Sequence, residues 1–268
     1  MTDLSVIILV GREELHIGRC LDRLKGLNPL RVFIVESQRG DRTHDISVEK
    51  GAATVFHTYP GNQAEQFNWA LDNLRLDTTW ILRIDADEYL TEELIAEIKL
   101  KLPTLPKGVD GVMLRRRHYF AGGWAKRGTY PVRILRLFRK GHGRYAAGQI
   151  MDERIEVPGL VVEFDNDFVD HSLISMDEWR AKHRNYARRE ARQMLAGGFH
   201  DSRKVAYYKM PRYLRAVLYF SIRYFLKGGF LDGYAGWMWN FWQGLWYRWL
   251  VDREIGKLLR SSGSAVSE

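Results

Sequence analysis

The sequence predicts an α/β fold in which helices flank a mostly parallel sheet and an aromatic helical appendage follows. In the first 115 residues, short apolar runs alternate with helix-like stretches, which is typical of a parallel sheet covered by helices. The chain has nine tryptophans, and five of them fall between residues 237 and 249. A length of 268 residues is enough for one large domain with an apolar core and a smaller appendage.

The first half of the chain alternates between predicted strands and predicted helices. Leu4 to Val10 is continuously apolar, as expected of a strand buried on both faces. The fourth strand leads directly into Asp85-Ala86-Asp87-Glu88, and Thr91 then offers an N-cap for a further helix. The predicted strands are residues 4–10, 31–36, 53–57 and 80–84, and the helices between them are 13–25, 41–50 and 62–76.

The texture of the sequence changes after residue 110. Shorter β-like segments at 111–115, 132–138 and 160–164 predict mixed strands and loops over the carboxyl end of the sheet. Ser175-Met176-Asp177-Glu178 matches a capping box and predicts a long helix that continues to about residue 195. We therefore predict a main domain over 1–200, a helical region over 201–260 and a disordered tail over 261–268.

Two aromatic-rich segments, Tyr213 to Leu226 and Tyr234 to Val251, lie in the predicted helical region. Neither is a clean membrane span, because each contains polar residues and a crossing helix needs about 20 mostly apolar residues. Both suit helices that lie in a membrane interface, with tryptophan and tyrosine at headgroup depth. Packing of these side chains within the chain or against a second subunit, as in a homodimer, stays open.

The composition bears on cellular location and on the class of partner. Cys20 is the only cysteine, so an internal disulfide and a zinc cluster built on thiolates are both excluded. The sequence starts with an apolar strand and lacks the basic region and cleavage site of a secretory signal, so we expect a cytoplasmic protein. A formal charge of +8 attracts the phosphates of nucleotides, nucleic acids or membranes. The aromatic content favours a membrane surface over nucleic acid.

The acidic cluster after the fourth strand is the sharpest chemical feature. Asp85 and Asp87 are two residues apart, so at a strand end both carboxylates face one side, at the edge where open α/β sheets bind ligands. Two hard oxygen ligands with room for diphosphate oxygens describe a Mg²⁺ or Mn²⁺ site. The alternative is that these acids only end the strand and cap the next helix.

Four parts of the sequence, taken together, resemble glycosyltransferase family 2. They are residues 5–14 ahead of a helix, the run Val35 to Thr43, Asn68 in the helix before the fourth strand, and Ile84 to Glu88. The resemblance covers roughly residues 4–175 and implies a GT-A nucleotide-diphospho-sugar transferase fold and inverting, metal-dependent hexosyl transfer. The turn at 228–233 is similar to that of the lipopolysaccharide-core glucosyltransferase type, which implies a cell-envelope saccharide or lipid-linked acceptor.

The resemblance also implies which residues hold the nucleotide-sugar donor, with a uridine diphosphate sugar as the default. Arg12-Glu13 stands where the family usually has Asn-Glu, and Glu36 stands where it usually has Asp. Glu13 has an equally simple interpretation as an acid stabilised by a helix dipole, and Asn68 as a solvated amide. The implied donor-binding residues are Val10, Arg12, Glu13, Glu36, Ser37, Asn68, Asp85, Ala86 and Arg136.

A separate carboxylate is needed to take the proton from the acceptor hydroxyl. Glu153 matches the position where relatives have His-Glu, and Asp152 replaces the histidine and raises the pKa of its neighbour by like charge. The alternative is a solvated acid pair beside Arg154. By the same resemblance, His171 joins Asp87 and Asp85 as a metal ligand, whereas a lone histidine is more often a structural hydrogen bonder.

The helix after Ser175 is strongly basic, with Arg184, Arg188 and Arg192 in one stripe. Such a stripe suits anionic lipid or a phosphorylated acceptor, or it is a solvated face. We expect a peripheral enzyme on the inner face of the cell membrane that does not bind nucleic acid. Nucleotidyl transfer is a weaker alternative, because Gly11-Arg12-Glu13-Glu14 is a poor phosphate loop. A non-catalytic binding module would leave Asp85, Asp87 and Glu153 without a role.

Overall fold

In the computed structural model, which describes residues 1–146, 154–196 and 202–264, four parallel strands form one side of a sheet. β1 pairs with β2 and β4, and β2 pairs with β3, so the spatial order is 3-2-1-4. The strand order reverses beside β1, and open α/β sheets bind ligands at such a point. The four strands are β1 (Thr2–Val10), β2 (Pro29–Glu36), β3 (Ala53–Phe56) and β4 (Trp80–Arg83).

Helices connect these strands as the sequence predicts. Asn62 caps the third helix by accepting a hydrogen bond from the Glu65 backbone, and Thr91 caps the fourth in the same way with Leu94. The first helix begins at Ile17, four residues later than predicted, because Glu13 to His16 form a turn ahead of it. The helices are α1 (Ile17–Leu24), α2 (Thr43–Glu49), α3 (Gln63–Asn73) and α4 (Glu92–Lys101).

Antiparallel and longer strands complete the sheet beyond β4. Its order continues β4-β8-β6-β11-β5, with β8 antiparallel to both β4 and β6. A separate two-stranded ladder joins β9 to β10. The strands are β5 (Glu88–Leu90), β6 (Val109–Phe120), β7 (Gly123–Trp124), β8 (Val132–Arg139), β9 (Arg144–Tyr145), β10 (Ile155–Glu156) and β11 (Leu160–Asp170).

Apolar side chains pack on both faces of the sheet. Ile8 points to the face covered by α1 and α4, where it belongs to one buried cluster with Leu24 and Ile98. Ile7 points to the opposite face and joins Phe67 of α3. Because neighbouring residues of β1 are buried on opposite faces, its sequence from Val6 to Val10 is continuously apolar, and Ser5 before it is itself buried.

Contacts divide the chain into two compact units. The first unit contains Met1–His118 and Pro131–Leu173, and the second contains Tyr119–Tyr130 and Ile174–Glu268. The basic helix after Ser175 therefore belongs with the residues that follow it. The predicted domain boundary at residue 200 differs from this contact-based division and stays a prediction.

The second unit is mainly helical. Ser175 and Glu178 form the predicted capping box at the start of α5, and Ala187 and Ala191 of this helix pack against Leu250 of α9. Two π-helical segments, 222–226 and 240–246, continue α7 and α8. The helices are α5 (Met176–Leu195), α6 (Ser202–Lys209), α7 (Leu214–Ser221), α8 (Gly233–Trp239) and α9 (Tyr247–Ser264).

The aromatic tail is partly a core. Trp242 and Trp246 pack against each other and against Trp179 of α5, and Trp239 is buried against Phe120. The internal packing that the sequence left open therefore describes these tryptophans. No helix in the described ranges is long and apolar enough to cross a membrane. The last helix continues to Ser264, so the described part of the predicted disordered tail is helical.

Candidate active site

The ends of two neighbouring parallel strands bring the first predicted donor residues together. Val10 ends β1 and is paired with Glu36 at the end of β2. The carbonyl oxygen of Val10 accepts hydrogen bonds from the backbone nitrogen of Ser37 at 2.9 Å and from its hydroxyl at 3.0 Å. Glu36 is buried, and its carboxylate lies 2.7 Å from Nδ1 of His44. This edge of the sheet therefore presents a fixed carboxylate beside two loops.

Glu13 has a positioning role in the first loop. Its carboxylate lies 2.7 Å from Nδ1 of buried His16, and Nε2 of His16 accepts a hydrogen bond from the Leu173 backbone nitrogen at 2.9 Å. The neutral ring therefore carries its proton on Nδ1 and donates it to Glu13. Glu13 lies before α1 and not in its first turn, so its partner is His16, whereas neighbouring Arg12 is exposed.

Asp85 is held by two buried arginines. Its Oδ1 lies 2.9 Å from Nη2 of Arg83, and its Oδ2 lies 3.1 Å from Nη2 of Arg136. Arg83 also donates to the side-chain oxygen of Gln63 at 3.3 Å. Arg83 and Arg136 are 7% and 3% exposed, so this carboxylate compensates charge that would otherwise be buried alone. Ala86, next to Asp85, is buried.

Glu88 also belongs to this ionic network. Its Oε1 lies 2.5 Å from Nη2 of Arg136, and its Oε2 accepts a hydrogen bond from the Asp85 backbone nitrogen at 3.0 Å. Burial raises the pKa of Glu88, the carboxylates of Asp85 and Asp170 raise it further, and Arg116 acts in the opposite direction. The contact with Arg136 favours the charged form, so Glu88 fixes both Arg136 and the backbone of Asp85.

Asp87 and His171 are neighbours through the backbone. The backbone nitrogen of His171 donates to the carbonyl oxygen of Asp87 at 3.0 Å, and Arg19 donates to that oxygen at 3.3 Å. Arg19 also donates from Nη1 to Nδ1 of His171 at 3.2 Å. Burial and the charge of Arg19 lower the pKa of His171. Because Nδ1 is an acceptor here, the neutral ring carries its proton on Nε2.

Metal-ligating side chains do not form a closed cluster. In residues 1–146, 154–196 and 202–264, no group of three or more histidine, cysteine, aspartate or glutamate side chains is placed to hold a metal ion. The predicted ligands Asp85, Asp87 and His171 therefore stay a prediction. Mg²⁺ is often bound by one or two carboxylates together with substrate phosphates, and the pair Asp85 and Asp87 has that chemistry.

Asn68 binds protein backbone. Its Nδ2 donates to the carbonyl oxygen of Tyr145 at 3.0 Å, and its Oδ1 accepts from the Tyr145 backbone nitrogen at 3.1 Å. The Tyr145 ring lies 5.8 Å from the Arg83 guanidinium. Both ends of the amide are therefore used within the protein, and the predicted contact with the donor stays a prediction. Asp152 and Glu153, the predicted catalytic pair, lie outside the described residues.

Sequence reasoning did not assign roles to several residues of this site. Arg83 lies in the otherwise apolar run Trp80 to Ile84, and a buried charge in such a run was a signal that a carboxylate lay nearby. Glu88 belonged to the acidic cluster but had no partner in the sequence argument. Arg19 and His16 had no sequence signal, because their partners His171 and Leu173 are more than 150 residues away in the chain.

Comparisons with known proteins were made with the whole chain. The family model described as "Glycosyl transferase family 2" matches residues 5–156. A curated protein of Rhizobium meliloti (strain 1021), "Lipopolysaccharide core biosynthesis glycosyltransferase LpsC", is 28% identical over 243 residues, which cover 87% of this chain and 84% of that protein. An uncharacterized glycosyltransferase of Rickettsia typhi is 28% identical over 99 residues, 37% of this chain and 32% of that protein.

The similar solved structures match this chain over less than half of their own length. The structure of S. aureus TarS covers 69% of this chain and 39% of its own, with 14% identity and a TM-score of 0.46. The structure of glucosyl-3-phosphoglycerate synthase from Mycobacterium tuberculosis in complex with Mn²⁺ and uridine-diphosphate-glucose covers 43% of each chain, with 18% identity and a TM-score of 0.35.

Proposed function

The chain belongs to glycosyltransferase family 2 and is a glycosyltransferase of α/β, GT-A fold, and from this premise we propose that it moves a hexose from a nucleotide-diphosphate donor. The acceptor is a cell-envelope saccharide or lipid-linked saccharide, of the lipopolysaccharide-core type. The convergence of acids at the strand ends carries this proposal, since Glu36 ends β2, Asp85 follows β4 on the other side of β1, and Asp87 comes next. The relative named for lipopolysaccharide core biosynthesis supports the acceptor class.

The donor site that we propose has a nucleoside part and a diphosphate part. Val10, Glu36 and Ser37 hold the base and ribose at the ends of β1 and β2, with Arg12 and Glu13 in the adjoining loop. A uridine diphosphate sugar is the proposed donor. Glu36 suits a ribose hydroxyl, because a buried carboxylate accepts hydrogen bonds and is held in place by His44.

The diphosphate part uses the acidic cluster and its arginines. Asp87, with Asp85, Ala86 and Arg136 beside it, would hold a divalent metal, Mn²⁺ or Mg²⁺, together with donor phosphates. The bound metal neutralises the charge of the leaving diphosphate. His171 serves as a further ligand only through a change of partner, because its Nδ1 accepts a hydrogen bond from Arg19. Asp85 is fixed between Arg83 and Arg136 and orients the strand end on which Asp87 follows.

The catalytic base that we propose is Glu153, with Asp152 as the neighbour that raises its pKa. An inverting transfer needs this carboxylate on the side of the acceptor, where it takes the proton of the attacking hydroxyl. The strands on either side of this segment are paired, since Tyr145 of β9 pairs with Ile155 of β10. Tyr145 and Ile155, which flank the proposed base in the chain, are therefore fixed beside each other in the first unit.

A thermal-shift panel of nucleotide-sugars with and without Mn²⁺ tests the donor and the metal together. We expect one donor to raise the melting temperature only with metal. Glu153→Gln should keep this stabilisation and lose turnover, because it removes the base and leaves the donor site intact. Stabilisation by nucleoside triphosphates alone, with no response to any nucleotide-sugar, contradicts the proposed donor class.

The proposal includes a peripheral position on the inner face of the membrane. One side of α7 and the π-helical segment after it is apolar and exposed, with Phe225 58% and Leu226 82% exposed. A soluble surface rarely keeps such a continuous stripe, and a membrane interface covers it. We call this stripe the apolar face; its residues are Leu214, Val217, Leu218, Ile222, Phe225 and Leu226.

Sedimentation with phospholipid vesicles tests the apolar face. Leu226→Glu should release the protein from vesicles, because it places a charge at the most exposed apolar position. Lys99→Glu is the matched surface control, because Lys99 is exposed on α4 of the first unit. This variant should leave vesicle binding unchanged. A wild-type protein that forms a dimer through this face and ignores vesicles would contradict the membrane position and assign the face to a second copy.

A further inference from the structure

Arg223 is a buried arginine without a carboxylate partner. It lies in the π-helical segment after α7 and is 3% exposed. Its Nε and Nη2 are buried and have no hydrogen-bond partner within the described part of the chain. Its Nη1 reaches only the hydroxyl of Tyr219, at 3.4 Å. A guanidinium buried in this way has lost its hydration, and an anion would compensate its charge.

The nearby carboxylates are already occupied by other donors. Glu190 accepts from the hydroxyls of Tyr208 at 2.6 Å and Tyr247 at 2.5 Å, and from Nη1 of Arg248 at 2.9 Å. Asp252 is occupied by the guanidinium of Arg215, and Glu254, the third buried carboxylate in the described part of the second unit, by the ammonium of Lys257 at 2.8 Å.

Three arginines of this interior therefore face two carboxylates. Arg223 and Arg248 approach the same ring, since their guanidinium carbons lie 5.1 and 5.3 Å from the ring centre of Tyr219. Arg248 has Glu190 and Arg215 has Asp252, so the excess positive charge belongs to Arg223. An anion at this guanidinium would balance the charge of the cluster.

Gly244 faces Nη1 of the guanidinium, the nitrogen that already reaches Tyr219. A Cβ atom added to Gly244 would lie 3.6 Å from Nη1 of Arg223, and a longer side chain would cover that group. Gly244 lies in the second π-helical segment, 240–246. Single π-helical turns within helices are frequently found at functional sites.

We propose that Arg223 binds a phosphate group, carried either by a membrane lipid or by a phosphorylated saccharide acceptor. Nε and Nη2, the two nitrogens without partners, form the side of a guanidinium that binds two oxygens of one phosphate in parallel. Ile222 and Phe225, on either side of Arg223 in the chain, belong to the apolar face. The lipid source of the phosphate rests on the proposed membrane position, whereas the phosphate site itself does not.

Thermal shifts with inorganic phosphate, against sodium chloride of equal ionic strength, test the site. The wild-type protein should gain several degrees from phosphate, because a ligand that binds the folded state stabilises it. Arg223→Met should lose this gain and, without phosphate, melt at or above the wild-type temperature, because it removes an uncompensated buried charge.

Two control variants separate the site from general charge effects. Lys99→Met removes one exposed positive charge from α4 and should keep the full phosphate gain. Gly244→Ala adds only an ordinary contact and should keep most of it. An equal phosphate gain in wild type and Arg223→Met overturns the proposal. A lower melting temperature of Arg223→Met without phosphate, together with an equal gain, makes Arg223 a structural residue.

Two further ligands identify the source of the phosphate. If Arg223→Met lowers binding to phosphatidylcholine vesicles that contain phosphatidic acid several-fold, and leaves binding to pure phosphatidylcholine unchanged, the source is a lipid. If it removes the thermal shift caused by glucose 1-phosphate instead, the source is a saccharide. A wild-type protein that binds no vesicles but keeps an Arg223-dependent phosphate gain refutes the membrane position alone.

Discussion

Asn68 and Tyr145 are joined by two hydrogen bonds that connect a helix to the strand that precedes the proposed base in the chain. The side-chain amide of Asn68 satisfies both the nitrogen and the oxygen of the Tyr145 backbone, at 3.1 and 3.0 Å. Tyr145 is 5% exposed, and its ring packs edge-on against Phe67 at 5.5 Å. The same ring lies under Arg83, which holds Asp85. One amide therefore positions parts of both halves of the proposed site.

Asn68→Ala should lower turnover more than donor binding. It removes two hydrogen bonds from buried backbone groups of Tyr145, which costs about 2–3 kcal/mol of unfolding free energy. A misplacement of the proposed base by about 1 Å is enough to lower kcat by a factor of about 100. We expect this loss in steady-state kinetics, with a donor dissociation constant within about threefold of wild type.

Asn73 provides the matched control for that experiment. It lies on the same helix, is exposed, and donates to the Trp69 carbonyl oxygen at 2.9 Å. Asn73→Ala removes a similar amide without reaching Tyr145, so turnover should be unchanged. If Asn68→Ala weakens donor binding and spares turnover instead, Asn68 contacts the donor and does not position the loop.

Alanine variants of Asp85 and Asp87 should differ in their free energy of unfolding, although both should lose the metal-dependent donor response. Asp85→Ala leaves Arg83 buried without its carboxylate and should lower the free energy of unfolding by about 2–4 kcal/mol. Asp87→Ala should cost less, because the carboxylate that lies within 3.1 Å of both buried arginines is that of Asp85. Urea unfolding and thermal shifts with Mn²⁺ and donor measure the two effects separately. Equal stability losses would contradict the assignment of Asp85 to the arginine network.

The sequence was a good guide to the parallel half of the sheet and to the acids at its edge. Leu4 to Val10 could be recognised because a strand buried on both faces is apolar at nearly every position, here at all but Ser5. Asp85 could be placed because a strand end fixes the side on which the next residues lie. The family and the class of enzyme predicted from these motifs are confirmed.

The partners of the acids could not be predicted, because they come from distant parts of the chain. Asn68 and Tyr145 are 77 residues apart, and Arg136 and Asp85 are 51 residues apart. Neither spacing nor periodicity reports such contacts. The aromatic tail shows a related difficulty, since helical spacing is the same whether Trp246 packs inward or faces a membrane. Exposure of Leu226 on the preceding segment could be seen only in the fold.

His183 should make the stability of the protein depend on pH. Its ring stacks on Trp179 with centroids 3.5 Å apart, and burial lowers its pKa to about 4. Between the usual histidine pKa of about 6.5 and pH 4, the unfolded chain binds a proton that the folded protein excludes, so stability falls as the pH falls. The loss reaches roughly 2–3 kcal/mol near pH 4.5.

His183→Phe isolates this contribution, because phenylalanine keeps an aromatic ring against Trp179 and does not titrate. The free energy of unfolding in urea, measured at pH 7 and pH 4.5, should fall less in the variant than in wild type, by about 2–3 kcal/mol. Parallel pH profiles for wild type and His183→Phe would show that His183 is protonated in the folded protein.

Arg215 and Asp252 form a buried ion pair. Removing one partner should lower the free energy of unfolding strongly, whereas replacing both with apolar residues should lower it much less. They are 1% and 0% exposed, and Asp252 also accepts the backbone N–H of Tyr213 at 2.7 Å. Tyr213 has a φ of 65°, in the left-handed region that favours glycine, so Asp252 also supports a strained residue at the start of α7. Asp252→Leu should therefore lower the free energy of unfolding by about 3–5 kcal/mol, because it leaves a buried guanidinium alone.

Adding Arg215→Met to Asp252→Leu should recover most of that loss, because the double variant contains no buried charge. The part that is not recovered measures the support that Asp252 gives to the Tyr213 backbone, about 1–2 kcal/mol. Urea unfolding of wild type, both single variants and the double variant supplies the complete cycle. Single losses that simply add in the double variant would mean that the two side chains act independently, and that the pair does not stabilise the second unit as a pair.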